Sequence, residues 1–193
     1  MPPGFDSLGL SPALTSVARE LGYSKMTPIQ AAGIPVLLQG KDLIGQAKTG
    51  SGKTAAFALP ILQSLNLDKR AVQALVLCPT RELCAQVARE FRKLGRKQPG
   101  LHVAVLSGGQ PARAQIAALR GGVHVVVGTP GRVLDLLGRK ALKLGSVAIA
   151  VLDEADRMLD MGFADEMDRI LGVLPRPLQT RSSRRRSPKR SRR

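Results

Sequence analysis

One eight-residue stretch carries the residue types that bind phosphate groups: Ala47-Lys48-Thr49-Gly50-Ser51-Gly52-Lys53-Thr54. It follows a short apolar run, 42–46, and leads into a helix-like run, 54–59. The order of strand, glycine-rich turn and helix is typical of a phosphate-binding P-loop. The glycines let backbone N–H groups turn toward phosphate oxygens, and the start of the helix adds the positive end of its dipole. We therefore expect this stretch to bind a nucleotide.

Two side chains of the stretch have specific expected roles. Lys53 is expected to reach the β- and γ-phosphates, and the Thr54 hydroxyl is expected to ligate Mg²⁺. The general pattern begins with glycine, whereas this chain has Ala47 there. The alternative interpretation is a flexible turn before a buried helix. The position of Gly-Lys-Thr, where a helix must begin, favours the phosphate site.

A pair of acidic residues, Asp153-Glu154, closes the apolar run 149–152. A carboxylate at the end of such a strand can hold Mg²⁺ opposite the P-loop threonine, in part through water. The neighbouring carboxylate can orient or deprotonate an attacking water. We assign Asp153 to the metal and Glu154 to the water. The alternative is an acidic pair that only caps a helix.

Five apolar segments alternate with helical segments along the chain, at 43–46, 74–78, 102–106, 123–127 and 147–152. Near-continuous apolar strands separated by helices predict an α/β fold with a mostly parallel sheet and helices on both faces. Each strand stops at a polar motif, and the carboxyl ends of parallel strands share one edge of a sheet. The motifs are therefore expected to converge on one surface.

The charge of the chain is large and uneven. The net charge is +16, and residues 181–193 hold eight basic residues and no acidic one. The basic excess in the remainder suits a polyanionic partner. With one Tyr, four Phe and no Trp, stacking platforms for bases are scarce, so a nucleic acid is expected to be held by its backbone.

The chain shows no apolar run near the ~18 residues of a membrane span and no basic-then-apolar signal at its N-terminus. Cys78 and Cys84 lack metal-ligand spacing, and His102 and His124 lie in apolar runs. We expect structural roles for all four. Together these features predict a cytoplasmic protein without membrane contact.

Several motifs together resemble those of the DEAD-box RNA helicases, and the resemblance is closest to the bacterial branch. Asp153-Glu154-Ala155-Asp156 spells the motif that names the family, and the P-loop has the family's form, with alanine at its first position. Further motifs match in order: Thr27-Pro28-Ile29-Gln30, Pro79-Thr80-Arg81-Glu82-Leu83, Gly108-Gly109 and Thr129-Pro130-Gly131-Arg132. The resemblance covers about residues 5–180 and implies a three-layer, RecA-like P-loop NTPase domain over residues 1–180.

The resemblance also implies roles for individual residues. Gln30 would read the adenine edge within an adenine-reading segment, 5–30, with Thr27 beside it and Phe5 packing near the base. Asp156 would couple the nucleotide site to the next motif. The RNA backbone path would be lined by Pro79, Thr80, Arg81, Gly108, Gly109, Thr129, Pro130, Gly131 and Arg132. For Arg81 and Arg132, the alternative to RNA contact is an exposed charge at a helix end.

Two parts of the family pattern do not appear in the sequence. They are a Ser-Ala-Thr motif, expected shortly after Thr180, and a second RecA-like domain with arginine fingers. The family's helicases close two such domains over ATP and RNA. The chain is therefore expected to be the ATP-binding half of a helicase, with weak ATP binding and almost no turnover alone. Its oligomeric state is left open.

The basic tail, residues 181–193, is predicted to be disordered because it has almost no apolar side chain to bury. We interpret it as a frameshift product. One T inserted after the first base of codon 181 allows the tail to be read as Leu-Leu-Phe-Ser-Ala-Thr-Phe-Pro-Glu-Ala-Ile-Ala-Glu. That reading contains the missing Ser-Ala-Thr motif at the expected place.

Two other functions remain open at this point. One is a non-enzymatic RNA-binding protein that acts through its Arg/Ser tail, since such tails bind RNA nonspecifically. Nucleotide binding that survives removal of the tail would argue against it. The other is a DNA-directed relative of the helicases. The adenine-reading motif at Gln30 argues against that alternative, and competition between RNA and DNA would decide.

Overall fold

The computed structural model describes residues 4–46, 50–175 and 179–184 as one α/β domain. Six parallel strands form its sheet: β1 (Leu43–Gln46), β2 (Ala74–Leu77), β3 (Val103–Leu106), β4 (Val125–Gly128), β5 (Ile149–Leu152) and β6 (Gln179–Arg184). Their order across the sheet is β1-β6-β5-β2-β4-β3. This confirms the predicted fold class.

Helices connect the strands, after a short 3₁₀ helix at Phe5–Leu8. They are α1 (Pro12–Glu20), α2 (Pro28–Leu38), α3 (Lys53–Ser64), α4 (Arg81–Leu94), α5 (Ala112–Arg120), α6 (Pro130–Gly138), α7 (Ala155–Asp160) and α8 (Ala164–Gly172). Local signals set several starts. Ser11 and Thr80 cap α1 and α4 by accepting from the backbone N–H three residues on. Pro28 and Pro130 take first helical positions, where no N–H is needed.

The sheet is covered on both faces, and alternate residues of β2 show this. Val76 belongs to a core with α1–α4, whereas Leu75 belongs to a second core with α6–α8. All four residues of β2 are buried, because helices on either side leave neither face to water. Among the described residues, no helix combines the length and apolar composition that crossing a membrane would need.

The two cysteines and two histidines take structural places. Cys78 and Cys84 are buried free thiols in the core with α1–α4. The His124 ring joins two loops: its Nδ1 accepts from the His102 backbone N–H at 3.1 Å, and its Nε2 lies 3.1 Å from the Leu67 carbonyl. Burial lowers the pKa of His124, which favours the neutral ring.

The structure differs from the predicted boundary of the basic tail. Residues 181–184, assigned from sequence to the disordered segment, form the second part of β6. Backbone pairing explains the difference: Arg181 is in register with Leu43 of β1 and Val151 of β5. Such bonds do not depend on side-chain type, and β6 fills the space between these two strands. Residues 185–193 lie outside the described part of the chain, so their disorder stays a prediction.

Candidate functional site: a cleft at the carboxyl ends of the strands

A cleft of about 540 Å³ lies at the carboxyl edge of the sheet, where ligands bind in open α/β folds. The P-loop contributes Gly50, Gly52, Lys53 and Thr54 to its lining. The ends of β2 and β5 contribute Thr80, Asp153 and Glu154. Residues far apart in sequence therefore meet on one surface, as the strand order requires. Ala47, Lys48 and Thr49 lie outside the described residues.

Gly52 is a position where the backbone requires glycine. Its φ is +85°, in the left-handed region, at the N-cap of α3. A Cβ atom there would lie 2.4 Å from Nε2 of Gln30. That same Nε2 donates to the Gly52 carbonyl at 3.2 Å. The turn before α3 is thus tied to α2, and the N-terminus of a 12-residue helix opens into the cleft.

Lys53 places a buried cation at this helix start. Its Nζ has almost no exposed surface and no hydrogen-bond partner among the described residues. The Ser51 hydroxyl oxygen is also buried and also has no hydrogen-bond partner among the described residues. A buried ammonium without a partner is costly, and an anionic oxygen in the cleft would satisfy it. The donors therefore fit a phosphate group.

Asp153 and Glu154 bring two buried carboxylates to the same cleft, 4% and 5% exposed. The Asp153 backbone N–H donates to the Leu77 carbonyl at 2.9 Å, which continues the sheet to this residue. Glu154 has φ +56°, a left-handed conformation that is uncommon outside glycine. Strain of this kind is concentrated at functional sites. The turn directs the chain from β5 into α7, whose first turn holds the half-buried Asp156.

Arg157 is a member of the cleft that the sequence analysis did not single out. Its Nη1 donates to Glu154 Oε2 at 3.3 Å, and Arg157 also lines the cleft. Glu154 is the N-cap of α7, and Arg157 is the third residue of that helix. The i, i+3 spacing to a predicted catalytic glutamate was the signal that could have identified it.

The predicted adenine-reading residues lie behind the P-loop. Gln30 is 1% exposed, and its Oε1 accepts from the Thr27 backbone N–H at 2.9 Å. Phe5 is buried, and its ring centroid lies 5.5 Å from that of Tyr23. Tyr23, not Phe5, lines the cleft. Tyr23 was not among the site residues predicted from the sequence, although it is the only tyrosine of the chain.

The Tyr23 hydroxyl is held by Glu90 of α4, which also lines the cleft. It donates to Glu90 Oε1 at 2.8 Å. Burial, with help from this hydrogen bond and the nearby carboxylate, raises the pKa of Tyr23 to about 12. The phenol is therefore neutral at physiological pH and works as a donor and a flat apolar surface at one wall of the cleft.

A second group of predicted residues lies beside the cleft, at the ends of β2 and β3. The Arg81 guanidinium packs on Gly109, whose φ is +74°; a Cβ on Gly109 would lie 2.5 Å from Arg81 Nη1. Gly108 is exposed next to it. Arg81 is exposed and donates to Glu82 at 2.8 Å. The glycines thus leave the guanidinium accessible for a phosphate.

The segment after β4 completes this second group. Arg132 Nη1 donates to the Gln110 carbonyl at 3.0 Å, which joins the loop after β3 to α6. The Thr129 backbone N–H donates to the Leu106 carbonyl at 2.9 Å. Pro130 is buried at the start of α6, and Gly131 is exposed beside it. By contrast, Pro79 is buried and Thr80 faces the cleft, so these two lie nearer to the P-loop.

Comparison with known proteins gives a consistent result. A model of the DEAD/DEAH box helicase family matches residues 27–186. The chain is 51% identical to the ATP-dependent RNA helicase DeaD of Buchnera aphidicola subsp. Acyrthosiphon pisum over 176 residues, which are 91% of this chain and 29% of that protein. It is 49% identical to the DEAD-box ATP-dependent RNA helicase CshA of Bacillus cereus, covering 91% of this chain and 33% of that protein.

A solved structure agrees with the sequence comparisons. A DEAD box protein from the hyperthermophile Methanococcus jannaschii superposes with a TM-score of 0.91 at 38% identity, over 96% of this chain and 51% of the other. The chain spans 29% of the length of DeaD and 33% of the length of CshA. The family model matches most of the chain, including the described strands and helices from α2 to β6. The protein belongs to the DEAD/DEAH box helicase family.

Proposed function

We propose that this chain is the ATP- and RNA-binding half of an ATP-dependent RNA helicase. The observation that carries the proposal is the buried Lys53 ammonium, without a partner among the described residues, at a helix start that faces two buried carboxylates. The relatives DeaD and CshA are named as ATP-dependent RNA helicases, which supports ATP as the substrate and RNA as the nucleic acid. Location in the cytoplasm belongs to the same proposal.

In this proposal, different residues of the cleft bind the phosphates, the metal ion, the attacking water and the base. The backbone N–H groups at Gly50 and Gly52 and the Lys53 ammonium would bind phosphate oxygens. Thr54 and Asp153 would hold Mg²⁺, which would supply charge neutralisation at the phosphates. Glu154 would orient or deprotonate the attacking water, and Arg157 would position the Glu154 carboxylate. Gln30 would select adenine, with Tyr23 beside the base.

RNA would bind by its backbone along the neighbouring group of residues. Arg81 and Arg132 offer guanidinium groups, and Gly109 offers a close approach to the main chain. Contacts of this kind position a strand without reading its sequence. Asp156 lies in α7 immediately after the carboxylate pair, where it would couple ATP to the next motif.

Calorimetric titration with Mg-ATP tests the nucleotide site. We expect Lys53→Ala to abolish binding, since it removes the buried charge. Glu154→Gln should bind as the parent does but lose residual turnover. A matched control is Lys25→Ala, which removes an exposed lysine outside the cleft. Unchanged binding by Lys53→Ala, or equal affinity for GTP and ATP, would contradict the assignment.

The activity of the chain alone is part of the proposal. In related phosphoryl-transfer enzymes an arginine finger contributes about 10³–10⁵ in rate, and in this proposal the arginine fingers belong to a second RecA-like domain. We therefore expect weak ATP binding and almost no hydrolysis. Robust RNA-stimulated ATPase activity of the purified chain would refute the picture of half an enzyme.

The two alternative functions have their own experiment. Because β6 continues to Arg184, the tail should be removed after that residue rather than after Thr180. We expect the shortened chain to keep ATP binding and to bind single-stranded RNA in preference to DNA of the same sequence. Loss of all RNA binding with the tail would favour the tail-based function, and preference for DNA would favour the DNA-directed one.

A further inference from the structure

A second cavity lies at the opposite edge of the sheet, on the amino-end side of the strands. Its volume is about 770 Å³, larger than that of the nucleotide cleft. It is lined by chain that precedes β2, β4 and β5, including Val72, Val123 and Ser146, together with the end of α5. It shares no lining residue with the cleft that holds Lys53. We call it the amino-edge groove.

The rim of the groove is strongly basic. Its lining includes no acidic residue and five exposed cations: Arg70, Arg120, Arg139, Lys140 and Lys143. Within the described part of the chain, only Arg139 has a carboxylate partner, Asp135 at 2.7 Å. The Arg70 guanidinium donates to the Gly121 carbonyl at 3.4 Å, which leaves its charge uncompensated. Four close positive charges repel one another, so an anionic partner would bind here favourably.

The floor of the groove is aliphatic. It is formed by the buried Val72 and Leu142 and the half-buried Ile116 and Leu119, all in or against the core that contains α6–α8. No aromatic side chain is among its lining residues, every one of which the structure describes. An RNA backbone would use the charged rim but not the aliphatic floor, whereas a concave apolar floor with a charged rim suits an apolar side chain flanked by acids. The composition favours a peptide over RNA.

Lys140 has a backbone conformation that is uncommon for residues other than glycine. Its φ is +56°, in the left-handed region. It occupies the residue after the C-cap of α6, where Lys140 N–H donates to the Leu137 carbonyl and Ala141 N–H to the Leu136 carbonyl. Glycine is the usual residue in this motif because it has no Cβ. Lysine thus occupies a place where the helix end alone would favour glycine, and this backbone strain points to a use for its charge.

From charge, shape and backbone together, we infer that the amino-edge groove binds an acidic peptide segment of another protein, with one apolar side chain of that segment resting on the aliphatic floor. The groove lies at the other end of the strands and shares no lining residue with the nucleotide cleft, so we expect peptide binding to be independent of ATP. Charge complementarity with the uncompensated rim supplies the attraction, and the floor supplies apolar contact.

Fluorescence anisotropy on the full chain tests this inference at physiological salt. The probe is a labelled ten-residue peptide with a central leucine between glutamates, compared with the same peptide carrying serine in place of leucine and with a ten-nucleotide single-stranded RNA. We expect the leucine peptide to bind more tightly than the serine peptide. Saturating Mg-ATP should leave its affinity unchanged.

Lys140→Gly separates a binding role from a folding role. Glycine suits the left-handed position, so the thermal midpoint should stay the same or rise. Peptide affinity should fall about two- to fivefold, as expected for loss of one exposed charge pair. Lys143→Glu combined with Arg120→Glu should reduce it further, by about tenfold or more. Lys25→Gly is the matched control outside the groove, and the basic tail is the same in every variant.

Three outcomes would overturn the inference. Equal peptide affinity for the parent, Lys140→Gly and the double reversal would show that the peptide binds elsewhere, for example to the tail. Equal affinity for the leucine and serine peptides would exclude use of the floor. RNA binding that falls more than peptide binding in the groove variants would identify the groove as a nucleic-acid surface.

Discussion

Replacing Gln30 by methionine tests whether this side chain supports the fold before any nucleotide binds. Gln30 is almost completely buried and joins two segments, by accepting from the Thr27 backbone N–H and donating to the Gly52 carbonyl. Methionine has a similar length and volume but lacks both polar groups. The substitution therefore removes two hydrogen bonds while it keeps most of the packing.

The size of the effect follows from the two bonds. Each contributes about 0.5–1.5 kcal/mol, so we expect the free energy of unfolding to fall by about 1–3 kcal/mol. The Gly52 carbonyl also accepts from the Ala56 backbone N–H at 3.1 Å, so it keeps one hydrogen bond in the variant. The Thr27 backbone N–H loses the bond to Gln30, so most of the lost stability comes from this group. In a domain of this size, that corresponds to a decrease of about 2–12 °C in the thermal midpoint.

The assay is urea unfolding without nucleotide, followed by circular dichroism. Gln39→Met is the matched control, since Gln39 is exposed at the C-terminal end of the same helix, α2; its effect should stay within about 0.5 kcal/mol. With ATP present, the difference between Gln30→Met and the parent should widen, because the parent gains ligand stabilisation. Parent-like stability of Gln30→Met without nucleotide would refute the structural role of the side chain.

Three further predictions rest on other parts of the molecule. Because burial lowers the pKa of His124, the folded state binds a proton at this ring less readily than the unfolded chain does, so the free energy of unfolding should fall as the pH drops below about 6.5. Urea unfolding at pH values of about 7.5 and about 5.5, on either side of the ordinary histidine pKa, should show a weaker pH dependence for His124→Asn than for the parent. The hydrogen bond with Cys84, together with burial, raises the pKa of the Cys78 thiol; iodoacetamide should modify neither cysteine in the folded chain and both in urea, and fast modification in the folded chain would contradict this. The coding DNA should become readable as Leu-Leu-Phe-Ser-Ala-Thr after a one-base change near codon 181; if no such change exists there, the frameshift interpretation is wrong.

The position of β6 bears directly on that last prediction. Its backbone lies between β1 and β5, and its neighbours Ile149, Ala150 and Val151 are buried. Strands in such a sheet are normally apolar runs. Arg181-Ser182-Ser183-Arg184 is not one, whereas Leu-Leu-Phe from the restored frame would be. The conflict between local sequence and strand position supports the frameshift interpretation.

Much of the fold could be predicted because its signals are local. Apolar runs bounded by glycine or polar motifs identified β1–β5. The short α7 was missed, since six residues directly after Glu154 give too little periodicity. β6 was missed because its residues have no strand character, and only backbone pairing with two neighbours holds them there.

Part of the candidate site could also be predicted from the sequence, and part depended on the tertiary structure. Sequence by itself determined that Lys53, Asp153 and Glu154 lie at one cleft, because the order of alternating strands and helices places these residues at the shared edge of a parallel sheet. Only the tertiary structure decided that Gln30 bonds to Gly52, that Tyr23 rather than Phe5 faces the cleft, and that five cations meet over an aliphatic floor at the other edge. These depend on packing between segments distant in sequence, and no local pattern records which side chains such packing brings into contact.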